Sequence, residues 1–207
     1  MAIGLVVAGA VGSGQNAVAS SFSFNFDTIV TGDTPSGSLL ATLIIADAGA
    51  NSVLVTLNHN STSAAGQFIT DLWFNVSPFL VPTQSGQTPS NKFQGGISAI
   101  QNGVGSAGID FDLRQQFENS GSGGGINRLK PGESISFTLS GTGLDATDFL
   151  SLSGGNRTDL FAMIHLQGIP GASSVKLGTT TLVPEPASMV ALGLGAMALI
   201  ARKRRRK

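Results

Sequence analysis

The 207-residue chain contains no cysteine, and only 12% of its residues are charged. The missing cysteine excludes disulfides, thiolate metal centres and cysteine nucleophiles together, so stability has to come from packing. Lysine and glutamate are scarce and helix formers do not gather in runs, which argues against a helical body. Up to residue 183 there is no Lys/Arg cluster: that part holds eleven of the twelve acids and six of the twelve bases. A mildly acidic body without clustered cations is a poor match for phosphate backbones and argues against nucleic acid as a partner. Neither a G-x-S-x-G turn, a D-x-[DN]-x-[DN]-G loop nor a repeat of fixed period occurs.

What is abundant is glycine, 28 residues, together with Ser, Thr and Asn. That is the composition of a turn-rich β protein outside the cytoplasm. Between 20 and 183 the dominant period is two. Phe22, Phe24 and Phe26 alternate with Ser and Asn, and Val53, Val55 and Leu57 alternate with Leu54, Thr56 and Asn58. Phe68, Thr70, Leu72, Phe74 and Val76 fall on one face, and Ile109, Phe111 and Leu113 alternate with Asp110, Asp112 and Arg114. Ile135, Phe137 and Leu139 against Ser and Thr give the cleanest case. The nearly continuous apolar runs 39–46 and 160–166 predict central strands covered on both faces. Turn signals at 31–33, 47–51, 78–89, 121–125, 130–132 and 141–145 separate the runs. The expectation is all-β: about eight or nine antiparallel strands in a two-layer β-sandwich, jelly-roll or immunoglobulin-like.

Both ends read as addresses. Residues 1–19 hold an apolar stretch followed by Ala17-Val18-Ala19, whose small residues suit a signal peptidase, with Ser20 first in the mature chain. The competing reading makes this stretch a first strand, against which its Gly and Ala content and lack of alternation count. No Lys or Arg precedes the apolar part, which predicts a start upstream of Met1. At the other end, 187–201 is uncharged; as a helix it is about 22 Å long, a thin span for a hydrocarbon core of roughly 30 Å. Behind it come Arg202, Lys203, Arg204, Arg205, Arg206 and Lys207, which favour the cytoplasmic side and so place the body outside. Gly193 and Gly195, with neighbouring alanines, give the span a narrow surface that another helix can approach. In front of it, Pro184 and Pro186 make an extended joint around Glu185.

V-P-E-P, a short hydrophobic helix and a terminal basic cluster, in that order, resemble the PEP-CTERM sorting signal of Gram-negative and related bacteria. Pro184, Glu185 and Pro186 match the motif, 187–201 the membrane helix and 202–207 the basic tail. The resemblance implies processing by exosortase, an integral membrane transpeptidase-like protease, from a precursor anchored in the inner membrane. It also implies an organism that makes extracellular polysaccharide and biofilm. The bland alternative is a tail anchor with a chance Pro-Glu-Pro. The same tail resembles the C-terminal domain of ice-binding proteins; in the body only Thr179–Thr181 hints at an ice-matching ladder, and strand propensity explains that triplet.

The body offers residues for three chemistries. Asp110 and Asp112, followed by Glu118 and Asn119, are oxygen ligands spaced for Ca²⁺ on one strand face, set against a solvated acidic face beside Arg114. His59 and His165 are the only general-base candidates for a Ser-His-Asp site, and His165 lies in an apolar strand where a satisfied buried imidazole is usual. Trp73 beside Phe74 offers a sugar platform or a core filler. The leading expectation is a non-enzymatic exported protein with structural or adhesive work at the cell surface or in an extracellular matrix. A secreted carbohydrate-binding module comes second and a secreted hydrolase third, and no cofactor is expected.

Overall fold

The computed structural model describes residues 20–35, 37, 39–60, 63–171 and 173–183. The predicted signal segment, the Pro-Glu-Pro motif, the membrane helix and the basic tail therefore lie outside the described residues. Among those described, no helix is long and apolar enough to cross a membrane.

The strands, in chain order, are β1 (Ser21–Asn25), β2 (Thr28–Gly32), β3 (Ala41–Gly49), β4 (Ser52–His59), β5 (Phe68–Phe74), β6 (Thr83–Thr88), β7 (Ser98–Ala99), β8 (Ile109–Asp110), β9 (Leu113–Gln116), β10 (Ser134–Ser140), β11 (Gly154–Gly155), β12 (Ala162–Gln167), β13 (Ser174–Thr179) and β14 (Leu182–Val183). Two six-stranded antiparallel sheets account for twelve of them, in the orders β14-β1-β3-β4-β10-β6 and β2-β13-β12-β5-β9-β7, and β8 pairs with β11. This exceeds the predicted eight or nine strands, and it exceeds the eight of a jelly roll or the seven to nine of an immunoglobulin domain.

The first sheet follows its sequence pattern. β10 lies against β4 with Ile135 opposite Leu57, Phe137 opposite Val55 and Leu139 opposite Val53, so the apolar members of both strands fall on one face. All six are buried. Across from them the second sheet contributes Ile69, Leu72, Leu113, Ile164, Leu166 and Leu177 to the same core. Each fully buried aliphatic or aromatic side chain contributes about 1.5–3 kcal/mol of transfer free energy, so this shared layer holds the sheets together.

Four expectations need correction. The run 39–46 does not form a strand covered on both sides: in β3, Ala41, Leu43 and Ile45 are buried in the core while Thr42, Ile44 and Ala46, on the other face, are half-buried among the described residues. The stretch 78–89 is not all turn, since it contains the polar edge strand β6 paired with β10. Residues 109–114 are not one strand: β8 ends at Asp110, β9 begins at Leu113, and the chain bends between them. Finally, Phe68 to Val76 do not keep a single face. His165 pairs with Asp71 but Leu166 with Ile69, leaving Thr70 as the extra residue of a β-bulge. Past the bulge the sides exchange, so Ile69 points into the core with Leu72 and Phe74.

The second sheet also has a covered outer face. Trp73 of β5 and Met163 of β12 are buried there under Ile109, Phe111 and Leu160, a cluster separate from the main core. The apolar run 160–166 is thus buried from both sides, as the sequence predicts: Leu160 and Met163 serve this outer cluster, and Ala162, Ile164 and Leu166 the inner core.

Candidate functional site

The C-terminal end of the described body is an edge strand. β14 is two residues long and pairs antiparallel with β1, Val183 opposite Ser23 and Leu182 opposite Phe24. β1 in turn lies beside β3 over five paired positions. Strand and sorting segment are contiguous: Val183 is hydrogen-bonded sheet, and the next residue is Pro184. Proline has no N–H to donate to a ladder.

A polar cluster forms where the bulge in β5 turns Thr70 and Asp71 toward β12. Asp71 Oδ1 accepts from Arg114 Nε at 3.0 Å and from Arg114 Nη2 at 2.6 Å. Its Oδ2 accepts from Thr70 Oγ1 at 2.8 Å. His165 Nδ1 sits 3.0 Å from Thr70 Oγ1 and 3.5 Å from Asp71 Oδ2. Burial pushes the Asp71 carboxyl up, but hydrogen bonds from His165, Arg114 and Thr70 more than offset this and hold it below the ordinary carboxylate range. The Arg114 guanidinium also lies over the Trp73 ring, 5.4 Å from its centroid.

This arrangement places its hydroxyl differently from an acid–base relay. A relay places the carboxylate on one imidazole nitrogen and the nucleophile on the other. Here the Thr70 hydroxyl and the Asp71 carboxylate both converge on Nδ1, so Thr70 does not stand on the nitrogen opposite the carboxylate. The cluster instead ties β5, β9 and β12 together across the bulge. His59 is placed differently: it is buried, and Nδ1 donates to Leu129 O at 3.0 Å. Burial lowers its pKa against the smaller upward pull of the Leu129 hydrogen bond and of Glu133. The two histidines lie at separate places in the fold.

The calcium candidates are separated by the bend. Asp110 is half-buried on β8, whereas Asp112 is buried, with Oδ1 accepting from Asn102 N at 2.8 Å and Oδ2 from Val76 N at 3.2 Å. Asp112 N donates in turn to Asn75 Oδ1 at 3.1 Å. These bonds fix the bend that splits β8 from β9. Among the described residues no three His, Cys, Asp or Glu side chains converge as a metal site. Trp73 is only 3% exposed, so its ring is core and not a sugar platform. Gly123, Gly124 and Gly125 have φ of 61°, 74° and 66°, a left-handed turn that only glycine adopts readily.

Sequence reasoning missed a buried cation. Lys92 Nζ donates to Glu133 Oε2 at 2.7 Å and to Arg128 O at 2.8 Å, joining the segment after β6 to the one before β10. Burial raises the Glu133 pKa, yet the bonds from Lys92 and from Lys130 N outweigh this and lower it. With the partners 41 positions apart, no local signal marks the pair.

The class of protein is thus a cysteine-free body of two antiparallel sheets, its last strand leading directly into a proline-flanked, apolar, then basic C-terminus. Residues 182–206 match the model of the PEP-CTERM protein-sorting motif, and the chain carries that motif. The match begins on β14, two residues before Pro184. No curated protein and no solved structure matches the chain. The motif implies an exported protein, made as a membrane-anchored precursor and processed by exosortase, a membrane protein.

Proposed function

We propose that the chain is a surface or extracellular-matrix protein whose β body does structural or adhesive work without catalysis, in a matrix that includes extracellular polysaccharide. The observation that carries this reading is the sorting motif at 182–206, continuous with the sheet edge that ends the body. In this account residues 187–201 hold the precursor in the inner membrane, and the cations 202–207 keep its end on the cytoplasmic side. Pro184 and Pro186 keep the backbone around Glu185 extended, the form in which a protease-type enzyme grips a peptide. The non-catalytic reading draws support from the convergence of Thr70 and Asp71 on one nitrogen of His165 and from the enclosed His59.

The test replaces Glu185 and Pro186 together by alanine in the native host. The expected product is an unprocessed, membrane-retained precursor, visible by immunoblot of membrane and surface fractions. A double variant processed and released like the parent would contradict the reading.

A further inference from the structure

Ser20, the residue after Ala17-Val18-Ala19, is half-buried, and its nitrogen donates to Asp47 Oδ2 at 2.7 Å. Asp47 N returns a bond to Ser20 O at 2.9 Å, and Asp47 Oδ1 accepts from Ala146 N at 2.8 Å. One carboxylate at the end of β3 thus joins the start of β1 to the 3-10 turn Ala146–Phe149. Among the described residues Asp47 makes no ion pair. The neighbouring charges do not supply one. Asp145 Oδ1 accepts from Thr147 N and Asp148 Oδ2 from Asp145 N, both capping the 3-10 turn. His59 stands at the far end of the β3–β4 pair, opposite Ala41, and β1, β10 and β14 bring no charged side chain.

We infer that Asp47 is the built-in receptor for the N-terminal ammonium of the exported chain. Hydrolysis of the Ala19–Ser20 peptide bond by a signal peptidase consumes one water, whose hydroxyl goes to the Ala19 carbonyl carbon and whose proton goes to the Ser20 nitrogen. Near neutral pH that amine takes a further proton from solvent. The nitrogen that donated one neutral N–H to Asp47 becomes a cation with three, in the same place and 2.7 Å from a carboxylate that has no ion-pair partner among the described residues. A charge-assisted bond replaces a neutral one. Because β1 is the strand on which β14 lies, fixing its start also fixes the sheet edge from which the sorting motif departs.

An unperturbed α-amino group titrates at about 7.7–8.0. Pairing with Asp47 raises that value in the folded chain. The added stability is therefore complete below the unfolded value and is lost as pH rises through the folded one. The inference rests on the export reading of Ala17–Ala19 and is independent of the C-terminal motif.

The test compares chains that begin at Ser20 or at Ala17, both ending at Lys207 and held in detergent, each with Asp47 or Asp47→Asn. Urea unfolding is followed at pH 6 and pH 10, and the exported protein is sequenced from its N-terminus. Sequencing is expected to return Ser20. At pH 6 the Ser20 chain should show a folded-to-unfolded ratio about two- to fivefold above the Ala17 chain, as for a partly exposed ion pair. That advantage should vanish at pH 10 and in the Asp47→Asn background. A mature start elsewhere overturns the inference, as does an advantage that is absent at pH 6 or persists at pH 10 or with asparagine. The two chain lengths share one body, so the comparison holds even where Asp47→Asn weakens the fold.

Discussion

The outward faces of the two sheets obey different rules. On the first sheet the outward residues of β4, such as Leu54 and Thr56, meet solvent, and Leu54 is 40% exposed. On the second, Trp73 and Met163 lie under Ile109, Phe111 and Leu160. The covering chain is drawn in by the β8–β11 pair and by glycines that permit close approach: a Cβ on Gly155, at φ 102°, would stand 2.6 Å from Gly108 O. A sheet wet on one side writes its orientation into alternating residues; a sheet covered on both sides does not.

The largest expected effect comes from cutting into that cover. Phe111→Ala should destabilise the body by about 3–5 kcal/mol, as for other large buried aromatics. The control on the open face, Leu54→Ala, should stay within about 0.5 kcal/mol. Urea unfolding midpoints compare the two. Similar, small costs for both would mean that the outer cluster contributes no packing.

A smaller effect separates the two histidines. His59 is enclosed and its folded pKa is lowered by burial, whereas His165 is partly open beside Asp71. With the folded value depressed, the unfolded chain binds more protons in the window below about pH 6.5, so stability falls with pH there. The slope from His59 is at most about 1.4 kcal/mol per pH unit and ends at its folded value. His59→Gln should flatten this part of the profile. A parent curve already flat between pH 6.5 and pH 5 would contradict a His59 pKa lowered by burial.

The same contrast explains what could be read from the sequence. β4 and β10 were legible because Ile135, Phe137 and Leu139 alternate with Ser and Thr, and Val53, Val55 and Leu57 with Leu54, Thr56 and Asn58, on a half-wet sheet. β6, Thr-Gln-Ser-Gly-Gln-Thr, has no apolar face to betray it, because an edge strand can be held by the ladder of its neighbour alone. The bulge at Thr70 and the bend at Asp112 were hidden for another reason: partners 95 residues away in His165 and 36 away in Val76 belong to them. Ser20 and Asp47, 27 residues apart, are of the same kind. The sorting motif was legible throughout because its recognition is local, three adjacent features in fixed order. In the candidate sites, by contrast, residue types were visible but their convergence was not. Asp112 turned out to be bound by backbone N–H groups, and Trp73 turned out to be core.

The most direct measurement is the intact mass of the protein recovered from the cell surface or medium of its native host. The account predicts a chain that has lost the six basic residues 202–207, with its new C-terminus at or near the Pro-Glu-Pro segment. A surface form that still ends at Lys207 would contradict it.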